Sequence, residues 1–162
     1  MSPAVTPYLA ELEAERTGWY RFAGLVRRLT PGEQTTAGYY SDPDWSVRDL
    51  AAHVGTWLAE SAVQLQRLIA GTYEGHDVDI DALNDALLEA MHDQPWEICW
   101  SQANAGRATM LAAWAELTEP SEEAAWWIRK GAADHYAEHL PRLEAWVAEL
   151  VERRDAGGVA SD

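Results

Sequence analysis

The chain has 162 residues, 48% of them hydrophobic, with nine Trp, six Tyr and one Phe, which suits one globular domain and argues against extended disorder. A formal net charge of -15 with no basic patch to offset it excludes nucleic acid from the expected partners. Cys99, the only cysteine, excludes an intrachain disulfide or a thiolate zinc cluster and fits a reducing cytoplasm; no run approaches a membrane span, and Met1 to Leu12, without a basic start or a long apolar run, is not expected to act as a secretory signal.

A first helix is predicted from Pro7 to about Leu29. Thr6 can cap it, Pro7 suits the first helical position, and Val5, Leu9, Leu12, Trp19, Ala23, Val26 and Leu29 recur at helical spacing. Thr30-Pro31-Gly32 stops it, and Thr35 to Asp44 reads as a turn-rich loop. A second helix starts at Ser46, with Asp49 placed to return a hydrogen bond to the Ser46 backbone and Trp45 placed to staple onto Leu50. It extends to about Ala70 and turns Leu50, Val54, Trp57, Ser61, Leu65 and Leu68 inward. His53 lies between Leu50 and Trp57 on the helical wheel, so it faces the core or its edge.

Tyr73 to Asp79 is a polar connector, followed by a shorter helix from Ile80 to His92. Asp93-Gln94-Pro95 breaks that helix, and a third long one runs from Trp96 to about Leu117, with Gly106 in its middle allowing a close approach by another group. Ser121 caps a fourth, from Glu122 to about Arg153, in which Pro141 should bend the helix just after a histidine pair. No strand pattern or repeat competes. The expected fold is all-α: a four-helix bundle over residues 1–154 with a short extra helix between the second and third long helices, and a disordered tail over residues 155–162.

The histidine pair sits in Asp134-His135-Tyr136-Ala137-Glu138-His139. Side chains four apart on a helix share a face, so His135 and His139 can reach one point. His53, from a neighbouring helix, would complete a three-nitrogen site with a position left open. A lone core-facing histidine is usually structural, but the pair would need two separate partners without a cation, and one divalent ion serves all three rings. Zn²⁺ is the default for nitrogen ligands, and Ni²⁺ and Fe²⁺ suit them too. His135 to His139 also fits the zinc-peptidase pattern H-x-x-E-H, but the chain is too short for the extra ligand and chamber such enzymes need, which leaves Glu138 on the helix exterior or its edge. His76 and His92 sit in polar or helix-end settings and are expected to be solvated.

Trp45-Ser46-Val47-Arg48-Asp49-Leu50-Ala51-Ala52-His53, extended by Trp57, resembles the N-terminal signature of the DinB/YfiT-like superfamily, and His135-Tyr136-Ala137-Glu138-His139-Leu140-Pro141 resembles its C-terminal "H-x-x-x-H-l". Asn84 and the separation of the third and fourth helices are similar as well, so the resemblance covers nearly the whole chain. It implies a four-helix bundle with a divalent metal on His53, His135 and His139, and relatives that include S-transferases and isomerases dependent on mycothiol or bacillithiol. In the mycothiol-dependent maleylpyruvate isomerase branch a glutamate matches His135 and a second domain follows. Here a histidine stands at that position, which speaks against isomerase activity.

The leading functional expectation is a metal- and thiol-dependent S-transferase, mycothiol-like in cofactor, acting on a small electrophile. Trp57, Trp100, Trp114 and Tyr136 are candidate pocket walls, and Arg107 or Arg129 could anchor a carboxylate, although packing and surface roles compete for each. The alternatives are a hydrolase using metal-activated water and a non-catalytic protein that holds a toxic metabolite in a resistance role. Bundles of this kind often form homodimers, but the sequence identifies no pairing face.

Overall fold

Four long helices carry the computed structural model, which describes residues 8–42 and 44–159. They are α1 (Leu9–Val26), α3 (Val47–Ala70), α5 (Trp96–Glu116) and α7 (Asp134–Val159). Between them lie α2 (Pro31–Gln34), a hairpin of β1 (Tyr40–Ser41) and β2 (Asp44–Trp45), α4 (Ile80–Met91), α6 (Glu122–Ile128) and a π-helical turn, Arg129–Ala133. No helix among the described residues is long and apolar enough to cross a membrane.

Side-chain partners give the direction of each helix. Glu15 meets Arg107 and Trp19 stacks on Trp100, so α1 and α5 run antiparallel. Arg129 reaches Glu11 and Arg21 pairs with Glu144, so α1 runs parallel to the α6–α7 rod. His53 meets His135 and Ser61 meets Trp127, so α3 is antiparallel to that rod. Gly55 packs on Ala103 and Gly106 on Ala59, so α3 and α5 are parallel. Parallel neighbours need a long crossover, and residues 71–95 supply it, with α4 in the middle. The close approach at Gly106 has its cause here: a Cβ on Gly55 would stand 2.9 Å from the Ala103 Cα, and one on Gly106 would stand 3.1 Å from the Ala59 backbone nitrogen.

The start of α3 follows the sequence. The Asp49 carboxylate accepts from the Ser46 backbone N–H at 2.8 Å and from the Ser46 hydroxyl at 3.0 Å. Arg48 pairs with Asp49 and donates to the Met91 and Gln94 carbonyls, tying the far end of α4 to α3. Phe22, Leu50, Leu58, Leu65, Met110, Trp127 and Leu143 are fully buried between the rods. Burial of each such side chain contributes about 1.5–3 kcal/mol, which outweighs the modest propensity differences along these helices.

The structure departs from the expected elements in four places. Residues 35–45 hold the hairpin, where Gly38 and Tyr39 both donate to the Trp45 carbonyl; two-residue strands are too short to show a period in sequence. Thr30 and Glu33 form a capping box that starts α2, so the stop signal after the first helix is also a start signal. The expected fourth helix is divided by the π turn, while Pro141 lies inside α7 without ending it. That helix continues to Val159, so residues 155–159 are helical where a loose tail was expected. The expected cap at Thr6 and Pro7, and residues 160–162 of the expected tail, lie outside the described residues.

Candidate metal centre

The π turn positions the histidine pair. Gly131, inside it, faces α3 so closely that a Cβ would stand 1.8 Å from the Ser61 Oγ and 3.0 Å from the Trp57 carbonyl. The Ser61 hydroxyl donates to the Trp127 carbonyl at 3.1 Å, and the Asp134 N–H closes a five-residue hydrogen bond on Arg129. Such turns wind α-helices wider than usual and recur at functional sites. Past this one, α7 presents His135 and His139 to His53 of α3.

One ligand nitrogen from each of His53, His135 and His139 lies within 4.8 Å of the others. The Nε2 atoms of His53 and His135 are 2.8 Å apart, a contact in which one ring must donate unless a cation takes both lone pairs. The three rings meet edge to face, with centroids 4.7–5.3 Å apart. His135 and His139 are buried and His53 is half-buried. Burial, helped by the neighbouring His139, pushes the His53 pKa down to about 4. Burial, then the charges of His53 and His139, hold His135 well below the ordinary range, with Lys130 adding to the effect. Burial also lowers His139, against the opposing charge of Glu138. All three rings are therefore neutral at pH 7, the state a metal ligand needs.

The residues fit a divalent cation. His135 Nδ1 is buried without a hydrogen-bond partner; the Gly131 backbone opposes its pKa depression without reaching hydrogen-bond geometry. The Tyr40 hydroxyl lies 3.2 Å from His139 Nδ1, and Tyr39 lies 3.4 Å from the same atom and 3.4 Å from the His139 carbonyl. Engagement of Nδ1 leaves Nε2 as the ligand atom and gives His139 an outer-shell partner of the kind metal-bound histidines carry. Arg142 ties the hairpin to α7 by donating to the Tyr39 carbonyl at 2.6 Å and the Gly38 carbonyl at 2.9 Å. Burial, then the charge of Tyr40, raises the Tyr39 pKa, so its hydroxyl stays protonated. Three imidazoles with no carboxylate among them suit zinc, nickel or ferrous iron.

A cleft of about 170 Å³ opens over the triad. Trp57, Asn84, Lys130, Asp134 and Glu138 line it with the three histidines, and Ile80 closes one side. Trp57 Nε1 donates to Asn84 Oδ1 at 2.7 Å, so α4 fixes the indole. Trp57 is the only one of the aromatic and arginine candidates named from sequence to line this cleft. Trp100 stacks between Trp19 and Trp96, and Trp114 is buried with its ring edge-on to Tyr8. Arg107 grips buried Glu15 through two hydrogen bonds, and the Tyr136 hydroxyl donates to the same carboxylate. Arg129 pairs with Glu11 and Glu122. Glu138 is exposed and borders the cleft beside the triad. His76 and His92 are exposed, His76 stacking on Trp126.

Sequence reasoning missed Lys130, Asp134, Tyr39 and Tyr40. Lys130, in the π turn, and Asp134, at the start of α7, had only a weak signal: each stands five residues before His135 or His139, off the shared face of a regular helix. The hairpin tyrosines had none, because their loop has no period.

No protein-family model matches the chain, and no curated protein matches it. Solved structures do. An uncharacterised protein from Escherichia coli UTI89 superposes with a TM-score of 0.73 at 15% identity, covering 89% of this chain and 95% of that one. The colibactin self-resistance protein ClbS, in complex with double-stranded DNA, superposes with a TM-score of 0.69 at 13% identity, covering 84% of this chain and 92% of that one. Identity this low establishes a shared helical fold. It also corrects the exclusion of nucleic acid drawn from net charge: a bundle of this architecture is crystallised on duplex DNA, and a whole-chain charge averages over local surfaces that decide such contacts. The all-α bundle expected from the sequence is therefore present, and these likenesses assign the chain to no family.

Proposed function

We propose that this chain is a divalent-metal-binding protein that protects against a small reactive molecule, which it takes up in the cleft over His53, His135 and His139. The observation that carries the reading is the convergence of three neutral, shielded imidazole nitrogens within 4.8 Å at the floor of an open cleft. The likeness in fold to a self-resistance protein supports a protective role. A bound divalent ion would act as a Lewis acid with an open position. The chain's own residues do the rest: the triad holds the ion, Trp57 and Ile80 supply apolar wall, and Asn84 holds Trp57 in place. Thiol transfer and hydrolysis would both use that open position. The small, polar cleft favours a compact ligand over a bulky thiol cofactor.

The test is elemental analysis of the purified protein beside His135→Ala, followed by binding and turnover assays on a panel of electrophiles with and without thiol. One equivalent of metal in the wild type and none in the variant is expected. A wild type that stays metal-free after incubation with zinc, nickel and ferrous ions would falsify the reading. Binding without chemical change indicates sequestration, thiol consumption indicates transfer, and turnover without thiol indicates hydrolysis.

Duplex DNA is a second candidate ligand, supported by the DNA complex of the neighbour and by one local feature. Arg27 and Arg28 are exposed at the end of α1, and Arg154 of α7 donates to the Arg28 carbonyl, which gathers four arginines, Arg153 included, at one pole. Glu149 and Glu33 pair with two of them. DNA retention that falls steeply with salt and is lost in Arg27→Glu/Arg28→Glu would support this contact, and retention indifferent to both changes would remove the pole from it.

A further inference from the structure

Lys130 is the only lysine in the chain. It is half-buried, lines the cleft over the triad, and takes part in none of the ion pairs among the described residues, although Asp134 stands one turn on. Its Nζ lies 5.7 Å from the Trp57 ring centroid, and that indole stands edge-on to His135 with centroids 6.1 Å apart. The ammonium thus rests on an aromatic face one ring away from the candidate metal ligands. Asn84 fixes the indole from the other side. A surface lysine would be free to swing into water, whereas this one is half-buried with its ammonium over Trp57.

The charges around the cleft then decide what it attracts. With a divalent ion on three neutral imidazoles, Asp134 and Glu138 together would offset its two charges, which would leave the Lys130 charge without a counterpart. The geometry points to Lys130 as the specificity-determining residue for a small monoanionic ligand, such as a carboxylate, taken up in the cleft beside the triad. This inference rests on the proposed metal-binding function and names the substrate class of that same site. The two acids at the rim sharpen the selection, because a dianion would leave the cleft with excess negative charge beside Asp134 and Glu138.

The probe is acetate, titrated into cobalt(II)-loaded protein and followed by the visible absorption of the bound cobalt. The expected result is a saturable spectral change in the wild type. Lys130→Met should weaken acetate about tenfold with the starting cobalt spectrum intact, and Lys130→Arg should keep most of the affinity. Acetamide should bind far more weakly than acetate, and malonate no more tightly. Acetate affinity that is the same in Lys130→Met and the wild type, with a normal cobalt spectrum in both, overturns this inference alone. A wild type that gives no cobalt spectrum overturns the metal reading and this inference with it.

Discussion

Two buried polar clusters flank Tyr136, and they are built on opposite principles. Towards α1 and α5, Glu15 is buried and fully answered: Arg107 donates to both carboxylate oxygens, at 2.6 and 2.9 Å, and the Tyr136 hydroxyl donates at 3.2 Å. Towards α3, His135 presents one nitrogen to His53 and keeps the other without a partner. The first cluster satisfies its own charges, with Arg107 partly exposed at its edge. The second is neutral, incompletely satisfied and opens on a cleft. Burial of polar groups is costly in both places, and only the second leaves that cost to be met by something outside the chain. The buried ion pair serves packing between helices, whereas neutral imidazoles converging beside a cleft are what the proposed metal site needs.

The contrast breaks most sharply in a pair of single variants. Removal of one ligand, as in His139→Ala, should lower zinc affinity at least about 100-fold, in line with losses seen even for outer-shell partners, and should leave the metal-free protein folded. Competition with a chromophoric chelator measures the first effect and urea unfolding of the metal-free protein the second. Glu15→Ala should do the reverse. It strands Arg107 and the Tyr136 hydroxyl, at a cost of about 3 kcal/mol in unfolding free energy, while zinc affinity per folded molecule stays near that of the wild type. Equal effects of both variants on metal affinity would erase the distinction between the clusters.

Acid separates the clusters next. His53 titrates at about 4 in the folded chain, against about 6.5 in the unfolded one, and burial depresses His135 and His139 in the same direction. Above pH 7 the rings are neutral in both states and contribute no pH dependence. As pH falls from about 6.5 towards 4, the unfolded chain takes up protons that the folded chain refuses, so stability falls with pH. The metal-free protein should lose about 2 kcal/mol by pH 4.5 through His53 alone. His53→Gln should flatten part of that slope. A metal-free stability that does not change between pH 7 and 4.5 would mean that the triad is not shielded as the structure has it.

The open cluster was more legible in sequence than the closed one. Four-residue spacing placed His135 and His139 on one face, and the wheel position of His53 between Leu50 and Trp57 turned it to the core or its edge, because helical period alone fixes both facts; the meeting of the two faces depends on how the helices pack. The four rods and the crossover helix were legible for the same reason. Tyr136 was a candidate pocket wall and Arg107 a candidate anchor for a ligand carboxylate, but the carboxylate that claims both is Glu15. Its signal was present: Glu15 sits on the apolar stripe between Leu12 and Trp19, where a charge implies a buried counter-ion. The π turn and the hairpin had no such signal. The first depends on a contact between Gly131 and Ser61, 70 residues apart in sequence, and the second on backbone hydrogen bonds in strands two residues long.

The smallest effect tests whether the hairpin belongs to the open cluster or only covers it. The Tyr40 hydroxyl touches His139 Nδ1 at 3.2 Å beside the Tyr39 side chain, so Tyr40→Phe removes one outer-shell contact and leaves the packing of the ring in place. Tyr39 is the poorer choice, since its hydroxyl also reaches the His139 carbonyl and its ring is buried, which would mix stability with ligation. If the tyrosine fixes the His139 tautomer, Tyr40→Phe should weaken zinc about tenfold, the lower end for an outer-shell partner, because Tyr39 remains within reach of the same nitrogen. Stability of the metal-free protein should change by less than about 0.5 kcal/mol, the usual scale for a partly exposed side chain. Unaltered zinc affinity would assign the hairpin to packing against α7 and leave the triad to hold its geometry by the contact between α3 and the π turn alone.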